Sequence, residues 1–394
     1  MEETFYRTHK YLVEHLAGGV RRLLMDEIDW SERLIGIKGS RGVGKTTFLL
    51  QYAKENFDTD RSCLYINFNH FYFTKHTLLD FADDFYKHGG KTLLIDQMFK
   101  YENWSKELRI CYERFPDLKI VFTASPVMRL KDENDDLHDI IKVYNLRGFS
   151  FREFLNIQAG VDLQAYTLAE ILENHAAIAE EICAQVKPLA YFQDYLHHGF
   201  YPFYLEKNNY SENLLKTMNM MLEVDILLIK QIDIKYLSKI RKLLYLLALK
   251  TPCAPNVSQY SKEIETSRAT VMNYIKYLKD ARFFNLLYPQ NEDFPKKPEK
   301  VYMHNTNLMY AVSPNVESED LRKTFFYHAL HTRHKVNAAI DNDADFMIDR
   351  NSKLQFKVEE KEQEKINPNI FYAEHKTEIG EGRRVPLWLF GFLY

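Results

Sequence analysis

Residues 39–47 read Gly39-Ser40-Arg41-Gly42-Val43-Gly44-Lys45-Thr46-Thr47, the spacing G-x-x-x-x-G-K-T. Glycines at these intervals let a loop close tightly, so that several backbone N–H groups converge on one phosphate. Lys45 is long enough to reach the outer phosphates of a nucleotide, and the Thr46 hydroxyl is a ligand for Mg²⁺. A second acid must help to hold that metal, and Asp96 ends the apolar run 91–96 (KTLLID). The residue after it, Gln97, occupies the place where a hydrolytic site carries a glutamate base. An amide orients water by hydrogen bonding but cannot take its proton.

These residues meet only if particular elements position them. The run 34–38 (LIGIK) is predicted to be a buried strand feeding the loop, with a helix starting behind it near Thr47, so that the positive end of the helix faces the phosphate. Runs 63–68 (CLYINF), 91–96 and 119–123 (KIVFT) are further strands with helical stretches between them. That alternation predicts a doubly wound parallel α/β sheet, whose ligands lie beyond the strand carboxyl ends. The glycine loop, Asp96 and Thr123-Ala124-Ser125 all fall there.

The chain has 394 residues, which at about 150 per domain implies two or three domains. With 46% hydrophobic and 27% charged residues it is composed as a globular protein. Its net charge of −3 excludes a protein that coats nucleic acid by bulk electrostatics, though not one with a local basic face. No apolar run reaches the roughly 18 residues of a membrane span, the densest being 243–249 and 220–229. The start, MEETFYRTHK, has no apolar signal region, and the four cysteines are scattered without metal or redox spacing. A cytoplasmic protein without membrane contact is expected.

Several segments together resemble the prokaryotic AAA-type ATPases of the STAND-like clade, which carry a winged helix and a C-terminal restriction-endonuclease-like domain. They are the phosphate loop; Leu94-Ile95-Asp96-Gln97 running into 100–108 (KYENWSKEL); Val121-Phe122-Thr123-Ala124-Ser125; 148–154 (GFSFREF); Gly199-Phe200-Tyr201-Pro202; and the closing 386–394 (PLWLFGFLY). The resemblance implies ATP and Mg²⁺ as ligands, with Thr46 and Asp96 on the metal. The chain departs from the family where Gln97 replaces glutamate and where Ala124-Ser125-Pro126 replaces a Gly-Ser-Ser sensor. Asp136-Leu137-His138-Asp139-Ile140 stands where a pair of arginines is usual. Arg129, Arg147 and Arg152 remain as candidates to face the γ-phosphate, or as packing arginines.

By this reading residues 1–157 form the P-loop core, 158–239 a helical lid or bundle, 240–300 a winged helix-turn-helix and 301–394 the nuclease-like domain. In the third, an apolar helix (240–249) precedes a short helix (257–264) and a turn at Glu265-Thr266, and Ser267 caps a helix over 268–281. Duplex DNA, if bound, would meet Arg268, Thr270 and Asn273, with Lys276 and Lys279 on phosphates and Lys296, Lys297 and Lys300 in a basic wing. In the last domain, Asp345 and the strand Gln355-Phe356-Lys357-Val358-Glu359 stand where nucleases of this kind bind metal. Two registers are open: Gln355-Phe356-Lys357 has an amide for the acid, and Lys357-Val358-Glu359 exchanges acid and lysine. Upstream, 321–326 (LRKTFF) is basic where an acid is usual. A degenerate site used for contacts is expected, with Asp345 and Glu359 the acids left to share a cation.

Three functions follow as expectations. The first is an ATP-held switch with weak or absent hydrolysis. The second is a working ATPase in which Gln97 orients water, and the third a DNA-binding regulator. Partner proteins or self-association are expected with the first.

Overall fold

The computed structural model describes residues 3–16, 20–132, 134–206, 209–360 and 367–394. They divide into two compact units, Met1–Gly148 and Phe149–Tyr394.

In the first unit, α1 (Glu3–Glu14) and the single turn α2 (Leu24–Glu27) precede β1 (Leu34–Lys38) and α3 (Lys45–Asn56). Then come β2 (Cys63–Asn67), α4 (Leu78–Lys87), β3 (Thr92–Asp96), α5 (Trp104–Arg114), β4 (Lys119–Ala124) and β5 (Lys142–Asn145). The strand order is β2-β3-β4-β1-β5 and every pairing is parallel, as expected of the alternating pattern. The central strands β1 and β3 are buried almost throughout, which is why they read as unbroken apolar runs. The edge strand β5 is half exposed and short. At the opposite edge α1 packs on β2 through Phe5, His9 and Val13. His9 Nδ1 accepts the Tyr65 backbone N–H at 3.0 Å, which satisfies an edge donor that water would otherwise hold.

The second unit opens with α6 (Phe151–Ala159), α7 (Leu168–Gln185) and α8 (Pro188–Asp194). Ser150 with Glu153, and Thr167 with Glu170, form capping boxes that fix the starts of α6 and α7. A π turn (Tyr195–Gly199), α9 (Tyr210–Met220), a second π segment (Met221–Leu228) and α10 (Leu237–Ala248) follow. Next are α11 (Val257–Glu263), α12 (Arg268–Asp280) and an antiparallel pair, β6 (Phe284–Leu287) with β7 (Lys300–Met303). The unit closes with α13 (Thr306–Val312), α14 (Ser318–His331), β8 (Val336–Ala338), β9 (Phe346–Ile348), β10 (Gln355–Glu359), β11 (Ile370–Glu374) and β12 (Arg384–Pro386). These last strands form a mixed sheet, β12-β11-β10-β9-β8, antiparallel among β8, β9 and β10 and parallel among β10, β11 and β12.

The sequence reading counted 151–157 with the P-loop core, but α6 belongs to the second unit. Phe151 and Phe154 pack in one core with α7, α14, the C-terminal sheet and the 3₁₀ segment Leu387–Phe392. Trp388 is fully buried there. Helices α6 to α8 and the C-terminal sheet therefore share apolar contents and do not form separate layers. Arg152 is buried in the same core, donating to the carbonyls of Leu163 and Tyr394 at 3.1 and 3.2 Å. That makes it a packing arginine.

Candidate nucleotide site

The loop between β1 and α3 owes its shape to its glycines. A Cβ on Gly39 would lie 2.5 Å from the Leu146 carbonyl oxygen, so only glycine lets the loop pass there. Gly44, the N-cap of α3, has a left-handed backbone (φ 89°). Helix α3 begins at Lys45, and its first N–H groups point into the loop. The Lys45 ammonium is folded back onto the carbonyls of Gly39 (2.7 Å) and Ser40 (2.8 Å). Behind the loop, the buried Arg22 donates to Val43 O at 3.2 Å and to the carbonyls of Arg147 and Gly148 at 2.7 and 2.9 Å. Arg41 lies over the Phe99 ring at 5.1 Å.

Asp96, at the carboxyl end of β3, is the hub. Its Oδ2 accepts from the Thr46 hydroxyl at 2.7 Å and the Tyr65 hydroxyl at 3.0 Å. Its Oδ1 accepts from the Thr123 hydroxyl at 2.5 Å and the Gln97 N–H at 3.0 Å. Every donor is neutral, so the carboxylate keeps its full charge for a cation. The set Thr46–Asp96, all oxygen, suits a hard divalent ion such as Mg²⁺. Burial and the Asp96 charge push the Tyr65 phenol well above its ordinary pKa, so it stays a donor.

Gln97 has a left-handed backbone (φ 58°), rare for a residue with a side chain. The conformation turns its N–H back onto Asp96 and onto Thr123 Oγ1 (2.9 Å), which locates the strain at the site. Its side-chain oxygen accepts from Asn69 Nδ2 at 2.7 Å. One of the two lone pairs of the carboxamide oxygen is thus engaged.

The structure therefore brings together Gly39 to Thr46, Asp96, Gln97 and Thr123, as the spacing predicts. Sequence reasoning passed over Tyr65, Asn69 and Arg22. Asn67 lies opposite Asp96 in the β2–β3 register, and strand alternation gives Tyr65 the same face as Asn67. Those facts were available from the run CLYINF once β2 was placed beside β3.

The other candidate residues lie in the second unit. On α12, Arg268 and Asn273 are exposed and have no hydrogen-bond or ion-pair partner among the described residues. Thr270 shares its hydroxyl with the N-cap Ser267 at 2.9 Å, and the Lys276 ammonium stacks over Phe294 at 4.4 Å. Lys296 pairs with Glu292 at 2.8 Å.

The nuclease-like residues are each engaged by the surrounding protein in their own way. Gln355 accepts from the N–H groups of Ile340 and Asp341 at 2.9 Å each and donates to Ser352 O, which makes it a loop clamp. Asp345 accepts from Val358 N at 2.9 Å and pairs with Lys323 at 2.7 Å, so both its oxygens are engaged. Lys357 is half-buried. Glu359 is buried with neither oxygen hydrogen-bonded. Burial first, then the charges of Glu374 and Asp345, push its carboxyl above the ordinary range against Lys357 and Arg384. Among the described residues no group of three or more His, Cys, Asp or Glu side chains is arranged to hold a metal. No helix among them is long and apolar enough to cross a membrane.

Residues 31–155 match the model of an AAA domain, and residues 189–325 match a domain of unknown function (DUF8612). The first match lies largely within the first unit, whose parallel sheet and phosphate loop are those of a P-loop α/β fold. Over 278 residues the chain is 27% identical to the uncharacterized protein MJ1637 of Methanocaldococcus jannaschii, an alignment that covers 66% of this chain and spans 57% of that protein. Among solved structures, AMPPCP-bound DnaA from Aquifex aeolicus is 15% identical, over 71% of this chain and 89% of that one, with a TM-score of 0.27. PCH-2 from C. elegans is 16% identical, over 71% of this chain and 66% of that one, with a TM-score of 0.25. Likenesses of that size carry no argument about what this chain does.

Proposed function

We propose that the chain is a nucleotide-held switch that binds ATP with Mg²⁺ and hydrolyses it slowly or not at all. The loop N–H groups, Lys45, Thr46 and Asp96 hold the nucleotide and its metal, and Mg²⁺ supplies charge neutralisation for the β- and γ-phosphates. The observation that carries the slow-turnover reading is the Asn69–Gln97 hydrogen bond. A group that prepares water for attack must take a proton from it; an amide oxygen does not, and here one of its two lone pairs is already held by Asn69. Single-turnover hydrolysis by wild type and Gln97→Glu, with Lys45→Ala as blank, tests the reading. Slow release in the wild type and a gain on the order of a hundredfold in the glutamate variant are expected. Rapid, Lys45-dependent release by the wild type, lost in Gln97→Glu, would establish the competing reading, in which Gln97 already orients the water.

One observation favours a further role. The succession α10, α11, turn, α12 and the β6–β7 hairpin supports reading 240–300 as a winged helix, and Arg268 and Asn273 are exposed on α12. Duplex DNA is the ligand such a module would take. Salt-dependent binding that weakens on Arg268→Ala supports it, and a flat salt response counts against it. The finer placement, in the STAND-like clade with a degenerate nuclease-like C-terminal domain used for contacts with partner proteins or a second copy, rests on the motifs quoted from the sequence.

A further inference from the structure

Asp96 has about four lone-pair directions on its carboxylate, and four donors occupy them. Those on Oδ1 form a closed set, because the Gln97 N–H also bonds Thr123 Oγ1 and both are fixed by β3 and β4. On Oδ2, Thr46 can bind a cation through its hydroxyl oxygen while still giving its hydrogen to Asp96. Tyr65 is different. Its phenol comes from the neighbouring strand β2, has no place in the phosphate loop, and takes the last lone pair a hydrated cation would need.

We propose that Tyr65 is a positioning residue that holds Asp96 ready and competes with a hydrated divalent cation for it, so that loading of the nucleotide with its metal requires the phenol to yield. The inference rests on the nucleotide-binding reading above. It makes the metal, and not the nucleotide, the ligand whose affinity Tyr65 sets. The ring of Tyr65 is buried, and phenylalanine keeps that packing while removing only the donor.

The experiment is ATP binding by titration calorimetry at a series of Mg²⁺ concentrations, on full-length wild type and Tyr65→Phe, with Lys45→Ala as blank. The midpoint in Mg²⁺ is expected to fall about tenfold in the variant, the worth of one hydrogen bond to a charged group, while ATP affinity in EDTA stays unchanged. A midpoint that is unchanged or raised overturns the proposal and leaves Tyr65 as a brace for Asp96. Absence of Lys45-dependent binding in the wild type overturns the functional reading instead, so the two failures are distinguishable. Should phenylalanine not be tolerated, Tyr65→Met, which also lacks the donor, is read in the same way.

Discussion

Each unit has an aspartate next to a buried strand, and the partners of the two differ. Asp96 is surrounded by three hydroxyls and one N–H, all neutral. Asp345 is paired with an ammonium, Lys323, which Glu319 holds from the other side at 2.8 Å. A carboxylate among neutral donors keeps its charge and can exchange a donor for a cation. One already neutralised in a partly buried pair has nothing left to offer, and its partner cannot leave without exposing an unpaired charge. The same residue type beside a strand thus stands among neutral donors in the first unit and in an ion pair in the second. Motif spacing alone assigns both the same role, and the partner decides.

Removing the partner should break the comparison most visibly. Lys323→Met keeps the length of the side chain but strands Asp345, whose side chain is only 13% exposed. A loss of about 2–3 kcal/mol in the second unit is expected from chemical denaturation of the full chain. Adding Asp345→Asn should restore about half of it, and an additive double variant would show that the pair does not hold the unit. A smaller effect of opposite sign belongs to Glu359. Its carboxyl titrates above the ordinary value, so the stability it contributes is present below that value, near pH 4.5, and is lost as pH rises through the folded pKa. At neutral pH it is a cost. Glu359→Gln is expected to stabilise the unit by about 1 kcal/mol at pH 7.5 and to be neutral near pH 4, read from denaturation midpoints at the two values.

The sheet of the first unit was legible because a buried parallel strand is a continuous apolar run and a phosphate loop has a fixed spacing. Lys45, Thr46 and Asp96 therefore fall where their positions in the chain put them. Tyr65 becomes legible as a site residue only once β2 is set beside β3, since nothing in CLYINF itself marks a side chain that acts through a neighbouring strand, and nothing in the following NHF marks Asn69. The start and buried face of α12 were visible in the Ser267 cap and the apolar spacing that follows it. That Lys276 is taken by Phe294, eighteen residues on, depends on the hairpin path. The surroundings of the acids in the last domain depend on chain path in the same way. Gln355 and Glu359 lie on one strand, yet Gln355 is held by a loop at 340–341 and Glu359 feels the charges of Glu374 on β11 and Arg384 on β12, which local spacing does not encode.

The smallest effect concerns the edge of the first sheet. His9 can accept the Tyr65 N–H only as the neutral ring, and burial lowers its pKa below 6.5, opposed in part by the backbone of Asp58. The contribution of this contact is therefore complete above about pH 6.5 and is lost as pH falls through the folded value. In the second unit His198 and His375 are also lowered by burial, so acid weakens both units and a global melt cannot assign the cause. His9→Gln offers the same N–H an amide oxygen that does not titrate. Hydrogen exchange at the amides of β2, corrected for intrinsic rates and compared at pH 7.5 and 5.5, should show local protection falling with acid in the wild type. In the variant it should be nearly flat, while β8 to β12 respond alike in both proteins. An equal acid response of β2 in the variant would mean that α1 is not held to the sheet edge through His9. Because Tyr65 takes its backbone order from that contact and gives its hydroxyl to Asp96, the same comparison measures how far the nucleotide site depends on the N-terminal helix.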